Sequence, residues 1–239
     1  SDLRRQRQMC IRDRVNILWL RRDLRLFDNK ALSALSELPN PILPVFIFDE
    51  DIIDELPEND ARISFIHQQL SELNAQMHDL GSGIRILRGN PLKEITALCV
   101  KLNVANVYCN EDYEPYAIKR DEKVKNALSK VGVVFQQFKD QVVFHKDEVL
   151  KADGTPYTVF TPYSKVWKAR VNSDTFKVDD RPIRHYNWFK FDNAFPWLSD
   201  IGFKLSPIQV PPHEYQHLSN YRDVRNMPSV KGTSRFLLH

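Results

Sequence analysis

Residues 15–29 read Val-Asn-Ile-Leu-Trp-Leu-Arg-Arg-Asp-Leu-Arg-Leu-Phe-Asp-Asn, a mostly apolar run followed by a charged turn. A second apolar run, Pro-Val-Phe-Ile-Phe, occupies residues 44–48. Strands that are covered by helices on both faces need such continuous apolar character, whereas half-exposed strands alternate apolar and polar residues. The two runs therefore predict buried parallel strands.

Apolar runs alternate with helical patterns as far as residue 138, which predicts βαβ units and an α/β fold. We expect a doubly wound five-stranded parallel sheet with the strand order 3-2-1-4-5. The predicted strands are residues 15–20, 42–48, 84–88, 104–109 and 133–138. Helices are predicted from the apolar spacing between Ile63 and Met77, from Pro91 onward, and over residues 117–131.

The unusual polar loops of this chain follow the first and fourth predicted strands. In a doubly wound sheet the ligand crevice lies beyond the carboxyl ends of the strands, where the strand order reverses. That point falls between these two strands, so loops 21–25 and 110–116 are expected to meet at one crevice. The first turn has no glycine fingerprint and the chain has no Walker-type loop, which disfavours a standard NAD or ATP site.

The first of these loops carries three arginines, Arg21, Arg22 and Arg25. Their guanidinium groups could hold an anionic ligand. Alternatively, Asp23 and Asp28 could pair with them and fix the loop, because partly buried arginines are usually paired. The residues themselves leave both interpretations open.

The second loop carries Asn110 and Glu114 together with Tyr113 and Tyr116. A carboxylate, an amide and two ring faces suit the binding of a planar heterocycle. Glu114 could instead cap the helix that is expected to start near Pro115, where acidic groups are favourable. The two roles are compatible.

Beyond residue 138 the regular alternation stops. A short helix is predicted at residues 161–171, and residues 172–214 hold many prolines, aromatics and charges without a sustained period. We interpret the latter as a long irregular C-terminal connector that passes towards a second domain. The aromatic run at residues 157–163 could form a nucleic-acid platform, but burial against the sheet or a neighbouring domain is the favoured interpretation.

Residues 221–235 combine hydroxyl groups, a flexible glycine and guanidinium groups, which together suit a cluster of phosphate oxygens. The side chains concerned are Tyr221, Arg225, Thr233, Ser234 and Arg235. A polar turn at the end of a loop is the alternative interpretation.

Residues 1–14 hold five arginines and two aspartates, which leaves 29 basic and 29 acidic residues in the rest of the chain. The net charge of +3 therefore comes from this tail, which we interpret as non-native or disordered and exclude from the fold. Global charge consequently gives no support for DNA binding.

The three cysteines, Cys10, Cys99 and Cys109, are odd in number and lack metal-ligand spacing. Neither a disulfide framework nor a metal site is expected, and a reducing cytoplasm is the default location. No apolar run approaches the roughly 20 residues that a membrane span requires.

Several of these segments resemble the DNA photolyase and cryptochrome family, and they occur in the expected order. They are residues 15–29, Asp60-Ala-Arg62 with Phe65-Ile66, residues 110–116, 157–163 and 221–235. The resemblance implies an antenna-binding α/β domain at residues 15–171, an interdomain connector at residues 172–214, and the truncated start of an FAD-binding helical domain at residues 215–239.

By the same resemblance, the longer parent is a deoxyribodipyrimidine photo-lyase that repairs cyclobutane pyrimidine dimers in UV-damaged DNA. It would bind FAD, flip the dimer from the duplex, and split it with an electron from the photoexcited reduced flavin. This domain would bind a light-harvesting chromophore such as methenyltetrahydrofolate, a deazaflavin or a second flavin.

The resemblance also implies site residues. Tyr221, Arg225, Thr233, Ser234 and Arg235 map to the FAD side, and Asn110 and Glu114 map to the antenna side. The family continues after this point with a long helical domain, so the chain alone is expected to lack repair activity. We expect a monomer that contacts damaged DNA through the missing domain and does not bind membranes.

Two alternatives stay open at this point. A cryptochrome photoreceptor shares both domains without repair activity. A stand-alone nucleotide-binding α/β module would instead bind an adenine nucleotide at the crevice, and residues 172–235 would be dispensable.

Overall fold

The computed structural model describes residues 14–172, 175–190, 194–208, 221–224 and 226–227. These residues contain a five-stranded parallel sheet in the order β3-β2-β1-β4-β5, which confirms the predicted fold and strand order. The strands are β1 (Val15–Leu20), β2 (Ile42–Asp49), β3 (Arg85–Gly89), β4 (Val104–Asn110) and β5 (Val134–Phe138). The helices are α1 (Lys30–Ser36), α2 (Glu50–Ile53), α3 (Ala61–His78), α4 (Pro91–Lys101), α5 (Pro115–Lys130), α6 (Phe160–Arg170) and α7 (Tyr221–Val224).

Strand β1 is buried along its whole length because it lies in the centre of the sheet with apolar layers on both faces. Leu18 and Leu20 belong to one core cluster, and Ile17 and Trp19 belong to a second cluster. Successive strand residues point to opposite faces, so each cluster fills one side of the sheet. The apolar run of residues 15–20 thus contributes to both cores.

The helices α1 and α4 begin after asparagines whose side chains cap their first turns. Asn29 accepts a hydrogen bond from the Leu32 N–H at the start of α1, and Asn90 does the same for the Leu92 N–H at the start of α4. Pro91 occupies the first turn of α4, as predicted. No helix within the described ranges has the length and apolarity needed to cross a bilayer.

The predicted connector packs on the domain at residues 187–189 and 201–203. The Ile42 N–H donates to the Asn187 carbonyl at 2.7 Å, and the Phe189 N–H donates to the Ile42 carbonyl at 2.9 Å. Trp188 between them is buried, as are Ile201 and Phe203 further along. This stretch therefore covers the start of β2 and adds apolar residues to one of the two cores.

The aromatic run before α6 differs from the expectation of burial against the sheet. Phe160 is 77% exposed, and α6 has no buried residue. Two rings of the run contact each other instead: Tyr157 and Tyr163 have a centroid distance of 6.2 Å. In the chain, α6 follows an irregular stretch after β5, which is an edge strand of the sheet. Burial against a neighbouring domain stays a prediction.

Candidate binding crevice

A cavity of about 550 Å³ opens at the carboxyl ends of β1 and β2, beside the start of α5. Doubly wound sheets hold their ligands at this position. Apolar side chains from the strand ends and from α2 and α3 form much of its lining. The lining residues with polar or aromatic groups that matter most are Trp19, Arg22, Asp49, Glu114, Tyr116 and Arg120.

The two predicted polar loops meet at this cavity. Arg22 Nη2 lies 2.7 Å from Glu114 Oε1, and Arg22 Nε lies 3.5 Å from Asp112 Oδ2. Residues that follow the first and fourth strands are therefore in direct contact. The cavity lies at the predicted carboxyl edge of the sheet, but over β1 and β2 rather than between β1 and β4, and the loop after β4 forms part of its rim.

Arg21 is buried and paired, but with a different carboxylate from the one proposed from the sequence. It donates to the carboxylate of Asp121 in α5 and to the main-chain carbonyl of Asn110. Asp23 accepts from the main-chain N–H of Arg21 at 2.9 Å, so it shapes the turn while Asp121 pairs with the guanidinium. The partner comes from the helix after β4 because β1 and β4 are neighbours in the sheet.

Arg25 requires the same correction. Its Nη2 donates to Asp140 Oδ2 at 2.6 Å and to the main-chain carbonyl of Asp28 at 2.7 Å. The expected pairing with the Asp28 carboxylate is thus replaced by a contact with the segment after β5. The carboxyl ends of all five parallel strands lie at one edge of the sheet, so segments after β1 and β5 can meet although β4 lies between these strands.

Asn110 lies at the end of β4 and is buried. Its Nδ2 donates to Asp23 Oδ2 at 2.6 Å and to Asn29 Oδ1 at 3.0 Å, while its Oδ1 accepts from the Ala31 N–H at 3.0 Å. These bonds join β4 to the loop after β1 and to the start of α1. The amide is engaged inside the protein, and a contact between Asn110 and an antenna chromophore stays a prediction.

Glu114 occupies the N-cap position of α5, but its side chain makes no capping hydrogen bond. The carboxylate is 58% exposed and pairs with Arg22 at the rim of the cavity. A ligand in the cavity could therefore reach it without a change of fold. Its assignment as an antenna contact stays a prediction with a favourable position.

Three further side chains carry the polar chemistry of the cavity. Tyr116 Oη donates to Asp49 Oδ2 at 2.7 Å, and burial together with this bond raises the pKa of Tyr116, so the phenol stays protonated. Burial also raises the pKa of Asp49 above its usual range, although the bond from Tyr116 opposes that change. The Arg120 guanidinium lies 4.9 Å from the ring centroid of Trp19.

Asp49 and Arg120 were missed by the sequence argument. Asp49 could have been found, because it directly follows the apolar run of the second strand at the carboxyl edge of the sheet. Arg120 lies inside α5 among other charged residues, and no local pattern distinguishes it.

The residues present fit a planar heterocyclic chromophore. A cavity of about 550 Å³ lies within the usual range for small-molecule sites, which are mainly apolar with a few convergent polar groups. Asp49 and Glu114 offer hydrogen-bond acceptors, and Arg22 and Arg120 offer donors. An aromatic cofactor of flavin or pterin size could be held by these groups.

The predicted FAD side lies almost entirely outside the described residues. Arg225, Thr233, Ser234 and Arg235 are outside them, and for Tyr221 only the backbone, as the first residue of α7, is described. The assignment of these five residues therefore stays a prediction.

The sheet order and the crevice at its strand ends define a doubly wound α/β ligand-binding domain. Within that class, the family model of the DNA photolyases matches residues 16–182. The chain therefore belongs to the DNA photolyase family, as its sequence motifs indicated.

Individual relatives agree with this assignment. The deoxyribodipyrimidine photo-lyase of Synechococcus sp. is 29% identical over 238 residues, which cover 91% of this chain and 49% of that protein. A photolyase of Sulfolobus tokodaii, solved with two FAD molecules, superposes with a TM-score of 0.62 at 25% identity over 82% of this chain and 43% of its own. The class III photolyase of Agrobacterium tumefaciens shares the fold, with a TM-score of 0.68 at 24% identity over 79% of this chain and 38% of its own. The chain spans about half the length of the curated relatives it matches.

Proposed function

We propose that the chain is the N-terminal portion of a light-driven deoxyribodipyrimidine photo-lyase that repairs cyclobutane pyrimidine dimers in DNA. We propose further that this domain binds a light-harvesting chromophore in the crevice at the ends of β1 and β2. The observation that carries the proposal is this cavity, which has polar groups at its rim and aromatic groups in its lining, in a member of the DNA photolyase family. Relatives named deoxyribodipyrimidine photo-lyase support the enzymatic part.

The crevice suits a chromophore that passes excitation energy on, because that task needs a fixed position and orientation. Trp19 is fully buried, Arg120 is stacked on it, and Tyr116 is held by its bond to Asp49. Such mutually fixed side chains present a rigid surface to a planar ring. Glu114 and Asn110 are the proposed antenna-side residues, with Glu114 at the rim and Asn110 supporting the loops.

The chemical identity of the chromophore is proposed as one of three related types. A reduced folate such as methenyltetrahydrofolate, a deazaflavin and a second flavin are all planar heterocycles of suitable size. Because the Sulfolobus tokodaii photolyase was solved with two FAD molecules, the second flavin has support from a relative.

The remaining functions are proposed for the longer protein. Catalytic FAD would be held in part by Tyr221, Arg225, Thr233, Ser234 and Arg235, and reduced FAD would supply the electron that splits the dimer. Damaged DNA would bind to the helical domain of that protein, with the dimer flipped out of the duplex. A cytoplasmic monomer is proposed, and the free thiols of Cys99 and Cys109 are compatible with a reducing compartment.

The proposal is tested in two steps. First, the purified chain is titrated with methenyltetrahydrofolate, 5-deazariboflavin and riboflavin, and binding is followed by fluorescence; at least one is expected to bind with a one-to-one ratio. Second, a hybrid joins this chain to the half of the Synechococcus photolyase that it does not match. Its action spectrum for dimer repair is expected to contain the absorption band of the bound chromophore, and the absence of binding in the first step would refute the antenna function.

The two alternatives are separated from the proposal by different measurements. A cryptochrome would bind a chromophore in this domain just as a photolyase would. Only repair activity of the longer protein separates the two. A stand-alone nucleotide-binding module predicts tight binding of ATP at the crevice. Membership of the DNA photolyase family and relatives named as photo-lyases favour the repair enzyme.

A further inference from the structure

We propose that Asp49 is the specificity-determining residue of the crevice, and that its carboxylate accepts a hydrogen bond from a ring N–H of the chromophore. This inference rests on the proposed antenna function and deepens it. It names the chemical feature that the site recognises: a lactam or imide N–H at the edge of a planar heterocycle.

Asp49 is a buried carboxylate in the lining of the cavity. It is the last residue of β2, it lines the cavity, and its side chain is only 5% exposed. A buried carboxylate needs several hydrogen-bond donors, because burial without them is costly. The Asp49 carboxylate must therefore accept hydrogen bonds from donors that lie in the cavity.

The protein supplies two hydrogen-bond donors to the Asp49 carboxylate. Asp49 Oδ1 accepts from the Asp51 N–H at 3.2 Å, and Oδ2 accepts from Tyr116 Oη at 2.7 Å. A carboxylate offers about four acceptor positions, so about half of its capacity is left for other donors.

Arg120 is the cation beside Asp49, but it donates no hydrogen bond to it. Arg120 Nη1 lies 3.6 Å from Asp49 Oδ2, which is too long for a hydrogen bond. The Nε and Nη2 atoms of Arg120 both donate to Asp121 Oδ1, at 3.0 and 2.9 Å. The guanidinium therefore hydrogen-bonds Asp121, and it meets Asp49 only as an ion pair without a hydrogen bond.

The electrostatics agree with this geometry. Burial raises the pKa of Asp49, which means that the ionised form is insufficiently stabilised by its surroundings. The neighbouring Asp51, whose Oδ2 lies 3.2 Å from the same Tyr116 hydroxyl, adds a second negative charge. A donor on the ligand would relieve both effects, whereas an acceptor or an anion at this point would increase them.

Ring N–H groups beside carbonyls are the donors that flavins, deazaflavins and pterins have in common. Methylation of that nitrogen removes the donor and places a methyl group against the carboxylate. The proposal therefore predicts that the crevice discriminates against N-methylated chromophores, while a site that recognises only ring shape would tolerate them.

The test uses the full chain and measures fluorescence titrations with riboflavin, 5-deazariboflavin and their N3-methyl derivatives, and with methenyltetrahydrofolate. The wild-type chain is expected to bind a parent flavin or deazaflavin at least about tenfold more tightly than its methylated form, since one hydrogen bond to a charged acceptor is lost. In Asp49→Ser the parent is expected to lose about tenfold in affinity and the preference over the methylated form is expected to disappear. Serine is also a good N-cap residue, so α2 keeps its cap.

Asp51→Ser is the matched control, because it removes the adjacent exposed carboxylate and leaves Asp49 in place. It is expected to keep the preference for the unmethylated ring. If a chromophore binds and Asp49→Ser leaves its affinity unchanged, or if a methylated flavin binds as well as its parent, the inference is wrong while the antenna function stands. If none of the three chromophore types binds the wild-type chain, the antenna function itself fails, and the inference fails with it.

Discussion

Arg22 Nη2 lies 2.7 Å from Glu114 Oε1, and this contact joins the loop after β1 to the start of α5. Both side chains are 58% exposed, so water competes with the ion pair. The adjacent Arg21 pairs with Asp121, where the exposed fractions of the side chains are 8% and 2%. Two neighbouring arginines thus differ in function: the buried pair holds the sheet edge to α5, and the exposed pair borders the crevice.

The first prediction follows from this difference in burial. Arg21→Ala is expected to lower the free energy of unfolding by about 3 kcal/mol, because Asp121 is left buried with fewer partners. Arg22→Ala is expected to lower it by less than about 1 kcal/mol, as is usual for an exposed ion pair. Urea unfolding followed by circular dichroism measures both, and equal losses in the two variants would contradict the assignment of roles.

The second prediction concerns Asn110, whose Nδ2 lies 2.6 Å from Asp23 Oδ2. Asn110→Asp replaces this donor with a second carboxylate in a buried site, so the free energy of unfolding at neutral pH is expected to fall by about 2 kcal/mol or more. Repulsion and burial raise the folded-state pKa of the introduced carboxylate above its unfolded value. The folded state then binds the proton more strongly, so the deficit should shrink as the pH falls towards the raised pKa.

Asn106→Asp is the control for that experiment. Asn106 Nδ2 donates to Asn16 Oδ1 at 2.7 Å, so the substitution removes a hydrogen bond without placing two carboxylates together. Unfolding is measured in urea at neutral pH and at about pH 5. A loss in Asn110→Asp that is independent of pH, or that matches the control at both values, would show that the contact with Asp23 is unimportant.

The sequence predicted the fold because the strands are recognisable locally. Residues 15–20 and 42–48 are apolar without alternation, and this pattern has few alternatives to a covered parallel strand. The strand order then placed Glu114 at the crevice, since loops after the first and fourth strands must meet there. Both inferences needed only local pattern and general topology.

The pairing within the site could not be predicted in the same way. Asp121 lies inside a helix rich in charged residues, and only the three-dimensional neighbourhood of β1 and β4 distinguishes it as the partner of Arg21. Asp23 was the plausible partner by sequence proximity, but its carboxylate is used by Asn110 and by the turn. Side-chain partners at the carboxyl edge of a parallel sheet come from separate crossover units, so proximity in sequence misleads there.

The third prediction concerns thiol reactivity. Burial raises the pKa of both Cys99 and Cys109 to about 12, so almost no thiolate forms near neutral pH. In a Cys10→Ser background, neither thiol of the folded chain is expected to react with Ellman's reagent at about pH 8. Both thiols should react after unfolding in guanidinium. The two reactive thiols counted there serve as the internal control. Rapid labelling of either thiol in the folded chain would mean that its surroundings are open to water.

The last prediction separates backbone strain from a side-chain clash by comparing two glycines. Gly202 and Gly154 both have positive φ, at 81° and 78°, so alanine costs about 1 kcal/mol of strain at either position. A Cβ at Gly202 would collide with the Arg88 guanidinium, whereas nothing lies within 4 Å of a Cβ at Gly154.

Arg88 would have to move away in Gly202→Ala, and it would then lose its hydrogen bonds to the Ile201 carbonyl and to Asp54, each at 2.8 Å. Gly202→Ala is therefore expected to cost about 1 kcal/mol more than Gly154→Ala in the free energy of unfolding. In an Arg88→Ala background, Gly202→Ala should cost no more than Gly154→Ala, because no guanidinium is left to displace. If the two single glycine variants are equally stable, Arg88 does not anchor this part of the connector to the end of β3.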